Sequence, residues 1–152
     1  MAEQNLHQYT WRQFKELLPL AADEKPDYES PFAQLLGMRP GIASGGCGSA
    51  FMKIQDKHRQ AAGVVQGGLI VTLADYAFSR AVHSTLSPGE TMATVELKVN
   101  FIAPARDGEL TANAKLVSRG RRVAVGDVEV LDHEGRLIAR CLGTYLITAS
   151  PG

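Results

Sequence analysis

The sequence predicts an α+β domain in which a highly curved antiparallel sheet wraps one long helix. Three observations carry that reading. An apolar, almost uncharged run extends from Gly67 to Leu86, and the stretches that follow it read as strands. Those strands are joined by tight-turn sequences such as Ser118-Arg119-Gly120 and Asp132-His133-Glu134-Gly135. A helix apolar on nearly every side must be buried, and an antiparallel sheet curled around it is the simplest cover.

Taken in order, Thr10 can cap a short helix in which Trp11, Phe14, Leu17 and Leu18 share a face before Pro19 interrupts it. The acidic stretch Ala22–Ser30, with Pro26 within it and Pro31 directly after it, reads as a linker. Residues 1–30 are therefore an N-terminal helical extension and linker, and residues 31–152 the main domain. Phe32, Leu35, Leu36 and Met38 indicate a helical turn, followed by one long extended stretch from about Ile42 to Gln55. Gly41, Gly45, Gly46 and Gly48 crowd that stretch. No Gly-Lys-Ser/Thr follows, so a twisted, bulged strand is expected rather than a phosphate-binding loop.

The run Gly67–Leu86 ends at Ser87-Pro88-Gly89, a strong stop, and as a helix would be about 30 Å long. From Thr94 to Ile102, Val95, Leu97, Val99 and Phe101 alternate with Thr94, Glu96, Lys98 and Asn100. Leu110, Ala112, Ala114 and Leu116 repeat the pattern. Val123 and Val125 continue it, but the phase slips at Gly126-Asp127 before Val128 and Val130, which predicts a bulge there. Leu137–Ile147 shows little alternation, as expected of a strand covered on both faces.

Composition narrows the function. The chain has 152 residues, 45% of them apolar, which is one domain with enough core to need no disulfide or metal. Its 16 basic and 16 acidic side chains cancel, which argues against a nucleic-acid binder. The balance is uneven, however. Residues 1–30 hold three basic and six acidic groups, leaving a net charge of +3 on the rest, compatible with an anionic small molecule. No apolar run is long enough to span a membrane, and the first residues lack the pattern of a secretory leader. A soluble cytoplasmic protein is expected.

Two features could carry chemistry. Asp75 sits in the middle of the apolar run, where a carboxylate is costly unless it is paired or employed. It is a candidate nucleophile or general base. Gln66-Gly67-Gly68 opens the same helix, so the amides of Gly67 and Gly68 point out of a helix N-terminus with no side chain in the way, a ready site for a developing oxyanion. Gly67 and Asp75 are eight positions apart, or about 12 Å along one helix. They cannot both reach one carbonyl. If both work in one site, Gly67 must come from one subunit and Asp75 from another, across a dimer with antiparallel helices.

The segment Gln60-Ala61-Ala62-Gly63-Val64-Val65-Gln66-Gly67-Gly68, with Leu73-Ala74-Asp75, resembles the signature of hotdog-fold acyl-CoA thioesterases of the phenylacetate-pathway (PaaI-like) type. Similar to that family too are Thr94–Phe101, Pro104-Ala105-Arg106 and Ser118-Arg119-Gly120-Arg121-Arg122, so the resemblance covers about residues 32–148. It implies a hotdog domain of five or six strands that dimerises and pairs again into a tetramer. The Gly67 amide would then polarise the thioester carbonyl, and Asp75 would act as nucleophile or general base. Gln60, Ser79 and Thr94 would orient water or the acyl group. Gln66 stands where members usually carry His. It can still hydrogen-bond neighbouring backbone, and the polarising group is a backbone amide, so activity is expected to survive.

For a CoA thioester, Arg119, Arg121 and Arg122 are the best phosphate partners, with Arg106, Lys57 and Arg59 as further candidates. Gln66 and Gly68 are expected to border the substrate. His7, His58, His83 and His133 do not pair at metal-ligand spacing, and Cys47 and Cys141 fall in predicted strands as small core residues. No metal or redox cofactor is expected. Two rivals remain: a non-catalytic acyl-CoA binder or sensor, and a hotdog hydratase or dehydratase. The second would want a His beside the acid, which Gln66 removes.

Overall fold

The computed structural model describes residues 30–150; the helix expected near residues 10–18 and its linker lie outside the described residues. The elements are α1 (Pro31–Leu36), β1 (Met38–Ser44), β2 (Cys47–Lys53), a 3-10 turn (Asp56–His58), α2 (Gly67–His83), β3 (Glu90–Phe101), β4 (Glu109–Arg119), β5 (Val123–Leu131) and β6 (Leu137–Ala149). The six strands form one antiparallel sheet in the order β1-β2-β4-β5-β6-β3. The chain leaves β2, runs along α2 across the sheet, and enters β3 at the far edge.

Local chemistry explains the small elements. Ser30 caps α1 by accepting the Ala33 amide at 3.3 Å, Pro31 occupies the first turn, and Gly37 ends it at φ 70°. The single extended stretch expected from Ile42 to Gln55 is instead a hairpin. Ser44 pairs with Cys47, and Gly45 (φ 53°) and Gly46 (φ 82°) form the two-residue turn between them. Both turn residues need positive φ, which Gly-Gly supplies without strain.

The long helix is α2, but it stops at His83 rather than Leu86. The hydroxyls of Ser84 and Thr85 donate to the carbonyls of Ala81 (2.7 Å) and Val82 (2.8 Å) and close the last turn. Ile70, Leu73, Ala74, Ala77, Phe78, Ala81 and Val82 are buried against the sheet, a stripe at helical spacing. The opposite face, with Val71, Asp75, Tyr76, Ser79 and Arg80, is only half-buried. Within one chain the helix is wrapped on one side, not all round as its composition predicts.

Three glycines let the sheet approach α2. A Cβ on Gly48 would collide with the backbone of Ala77 and Ala81, and one on Gly126 or Gly143 would lie 2.5 or 2.7 Å from the Phe78 ring. The Phe78 ring fills the slot those last two residues leave. This corrects the reading of β5: no bulge lies at Gly126-Asp127. Ala124, Gly126, Val128 and Val130 all face α2 in one unbroken alternation, while Val123 and Val125 face outward. The irregularity falls on the opposite strand, where Val117 is extra between Leu116 and Ser118. Nor is β6 covered on both faces. Ala139, Cys141, Tyr145 and Ile147 are buried, whereas Leu142 on the other face is exposed.

Cys47 and Cys141 are buried free thiols, and burial pushes them up to about 12 and about 11, respectively. His58 is 2% exposed. Its Nδ1 accepts the Gln55 amide at 3.0 Å, which leaves the proton on Nε2 to be donated to the Leu36 carbonyl at 2.9 Å. Burial holds the His58 pKa below the usual histidine value, against the opposing hydrogen bond to Leu36. The unfolded chain therefore takes up this proton first. Stability should be full above pH about 6.5 and decline as pH falls below it. Urea midpoints at a series of pH values measure this, and His58→Gln should flatten the decline.

Candidate active site

Asp75 lies mid-helix on the half-buried face of α2, and two hydroxyls converge on it. Tyr145 Oη donates to Oδ1 at 2.8 Å, and Thr94 Oγ1 donates to Oδ1 at 3.0 Å and to Oδ2 at 3.4 Å. Ser79, one turn along, donates to the Tyr76 carbonyl at 2.7 Å and sits beside the Tyr145 hydroxyl. The expected grouping of Asp75, Ser79 and Thr94 is thus present, with Tyr145 added to it.

A backbone irregularity places Thr94. The sequence alternation puts Thr94 on the face opposite Leu97. In the structure β3 carries a bulge between Thr94 and Glu96 against β6, which leaves Val95 as the extra residue, 60% exposed. The bulge resets the phase, so Thr94, Leu97, Val99 and Phe101 all turn toward the helix side. Thr94 pairs directly with Tyr145 across the sheet, which brings both hydroxyls to the same carboxylate.

At the start of α2, Leu69 and Ile70 bond back to the Gln66 carbonyl. The amides of Gly67 and Gly68 take no hydrogen bond among the described residues, as the first two donors of a helix do not. Gln66 is exposed and makes no side-chain cap, while its own amide is held by the His58 carbonyl at 2.9 Å. A Cβ on Gly67 would lie 3.2 Å from the Phe101 ring; Gly68 faces open space. Phe101 therefore stands beside the free amides, and at 56% exposure it offers an open apolar wall. Gln60 Oε1 accepts the Ala62 amide at 2.6 Å, bracing the loop that leads into the helix. Gly67 and Asp75 of one chain remain about 12 Å apart along α2.

The candidate phosphate partners divide. Arg119 is held by Glu90 at 2.9 Å, by Thr85 Oγ1 at 3.1 Å and by the Gly120 carbonyl, so it latches the end of α2 to the β4–β5 turn. Arg59 is bonded to Asp56 and to the Arg106 carbonyl, and Lys57 to the Leu35 carbonyl. The exposed side chains of Arg121 and Arg122 instead border an open cleft of ≈ 460 Å³ with Pro88, Gly89 and Thr148. Arg106 is exposed after β3. Tyr145 and Phe101 are the residues that sequence reasoning missed as parts of the site. No spacing rule links Tyr145 to Asp75, 70 positions away, and Phe101 read only as one more apolar strand residue.

One long helix laid on a six-stranded antiparallel sheet, with free amides at its start and a hydroxyl-held carboxylate in its middle, defines a hotdog-type domain. The sequence pattern of the thioesterase superfamily matches residues 62–139, just over half the chain, and the protein belongs to that family. It is 35% identical over 92 residues to a provisionally named esterase of Saccharolobus solfataricus, covering 60% of this chain and 61% of that one. It is 32% identical over 97 residues to the medium/long-chain acyl-CoA thioesterase YigI of Escherichia coli, covering 55% and 63%. The chain thus matches about three fifths of the length of these relatives. A variant of the phenylacetic acid degradation protein PaaI of Thermus thermophilus superposes with a TM-score of 0.71 at 26% identity, covering 77% of this chain and 98% of that one.

Proposed function

We propose that the protein is an acyl-CoA thioesterase that hydrolyses aryl, arylacetyl or medium-chain acyl thioesters to the acid and CoA. The carrying observation is Asp75: a carboxylate in an apolar helix, oriented by two neutral hydroxyls and turned to the open side of α2. Among the described residues no His is a hydrogen-bond partner of Asp75, which favours hydrolysis over a hydratase reaction that needs a second proton-transfer group. The Gly67 amide donates a hydrogen bond to the thioester oxygen and stabilises the charge that develops on it. Asp75 of the facing subunit attacks the carbonyl carbon or takes the proton from water. Where Asp75 activates water, the hydroxyl adds to the carbonyl carbon, the acyl–sulfur bond breaks and the proton held by Asp75 passes to the leaving thiolate. Where Asp75 attacks, thiolate leaves and water then cleaves the acyl–aspartyl anhydride, which frees the acid, restores the carboxylate and supplies the thiolate's proton. Gln60, Ser79 and Thr94 orient water or the acyl group, while Arg121 and Arg122, with Arg106, hold phosphates, and Arg119, engaged by Glu90 and Thr85, braces the turn that carries them. The reading needs no metal or redox cofactor and includes a cytoplasmic site of action.

The same reading requires a dimer. Supporting it are the half-open face of α2 and the exposed Val95, Phe101 and Ile102 along the β3 edge. Exposed Leu142 and Val117 on the outer face of the sheet suit the second pairing into a tetramer. A mixing experiment tests the shared site. Gly67→Val and Asp75→Asn proteins, each inactive, are denatured together and refolded. Random pairing in a two-fold dimer gives half mixed dimers with one intact site each, so activity should return to about a quarter of wild type. No recovery, with mixed dimers demonstrated, would overturn the shared site.

Free-thiol release from a panel of aryl-, arylacetyl- and fatty-acyl-CoA esters tests the activity itself. Turnover supports the enzyme and names the acyl class. Tight ester binding by calorimetry without turnover would instead identify an acyl-CoA binder, the reading that Gln66 in place of His favours.

A further inference from the structure

Tyr145 is buried to 3% exposure on β6, with its ring edge-on to Phe78 at 4.8 Å between centroids. Packed this way the ring has one orientation, and its hydroxyl reaches Asp75 Oδ1 at 2.8 Å. Thr94 donates to the same oxygen at 3.0 Å, while Oδ2 receives only the longer 3.4 Å approach. The carboxylate is therefore asymmetric: one oxygen carries two close donors, and the other is left with its lone pairs available. We propose that Tyr145 is a positioning residue of the thioesterase site, which together with Thr94 pins Asp75 by Oδ1 and presents Oδ2 as the reacting oxygen.

The arrangement suits that task chemically. A cation bound to Asp75 would fix it equally well but would draw charge from the whole carboxylate, since charge-assisted pairs are the stronger ones. Neutral hydroxyls orient it at a smaller loss of reactivity. Tyr145 must also remain a donor throughout, and burial ensures this: it drives the phenol well above its ordinary pKa, reinforced by the neighbouring Asp75 charge, although the nearby Thr94 and Ser79 hydroxyls pull the other way. The phenol keeps its proton and does not compete with Asp75 as a base. The Val95 bulge belongs to the same device, since without the phase reset Thr94 would point away from Oδ1.

This inference rests on the thioesterase reading, and its test separates the two. Tyr145→Phe removes only the hydroxyl. With the panel's best thioester, kcat should fall by about 10- to 100-fold, as expected when one hydrogen bond to a charged group is lost. KM should stay within about twofold, because the hydroxyl touches Asp75 and not the bound ester. Thr94→Val should lower kcat by a similar factor and Thr94→Ser should restore it. A folded Tyr145→Phe protein with kcat unchanged, or with KM raised and kcat kept, would overturn the proposal. If Tyr145→Phe does not fold, the Thr94 pair decides: equal kcat for Val and Ser would overturn the two-donor arrangement. Absence of turnover in the wild type as well would remove the thioesterase reading, and this inference with it.

Discussion

Asp75→Asn is expected to lower kcat by about 10²- to 10⁴-fold, the usual loss when a positioned acid–base group is removed, and to leave acyl-CoA binding intact. The replacement keeps the shape of the side chain and an oxygen that can accept from both Tyr145 and Thr94, so the local structure has no reason to change. Only the charge and the reacting oxygen are lost. A nucleophile and a general base would both be disabled, which makes this the most discriminating substitution for the function. Thiol-release assays give kcat, calorimetry gives ester affinity, and a melting curve confirms the fold. A variant that keeps wild-type kcat would end the role assigned to Asp75, whereas loss of ester binding together with kcat would make it a binding residue.

Phe78→Ala should destabilise the fold by about 3–5 kcal/mol, the range for truncating a fully buried aromatic. Phe78 is 0% exposed, and Gly126 and Gly143 are shaped around its ring. Neither glycine has a side chain that could swing into the space, so the cavity cannot collapse easily. The effect should extend to the site, because Phe78 is also the wall against which Tyr145 stands. Activity should therefore fall more than the folded fraction alone accounts for. Urea unfolding of Phe78→Ala beside Phe78→Leu measures the stability term, with Leu expected between Ala and wild type. A loss below about 1 kcal/mol would mean the slot closes after all, and the account of the two glycines would be wrong.

Much of the architecture was legible because hydrophobic period is a local property. The run from Gly67 and the alternations around Leu97, Leu110 and Val128 each report which face meets a core, and together they imply a helix covered by antiparallel strands. Family resemblance adds the positions of Gly67, Asp75, Ser79 and Thr94 by their spacing. The misreadings share one cause: the sequence shows polarity, whereas phase is set by pairing. Gly45-Gly46 looks like part of a glycine-rich strand until Ser44 is seen to pair with Cys47. Gly126 looks like a slip because an inward position without a side chain is indistinguishable from a polar outward one until Phe78 occupies it. The alternation around Val95 appears perfect, and so hides a bulge that turns Thr94 inward.

The sequence by itself determined the class of fold, the long apolar helix, the unusual carboxylate within it and the bare helix start, and from helix rise alone it required two subunits for a site using both. Tertiary structure decided which hydroxyls hold that carboxylate, which arginines are spent as latches and which border an open cleft, and where an aromatic ring stands beside the free amides. The physical reason is range. Propensity and periodicity act over a few residues, but the contact between Tyr145 and Asp75 spans 70 positions and exists only because a bulged edge strand, a glycine slot and one packed ring bring two oxygens to hydrogen-bonding distance.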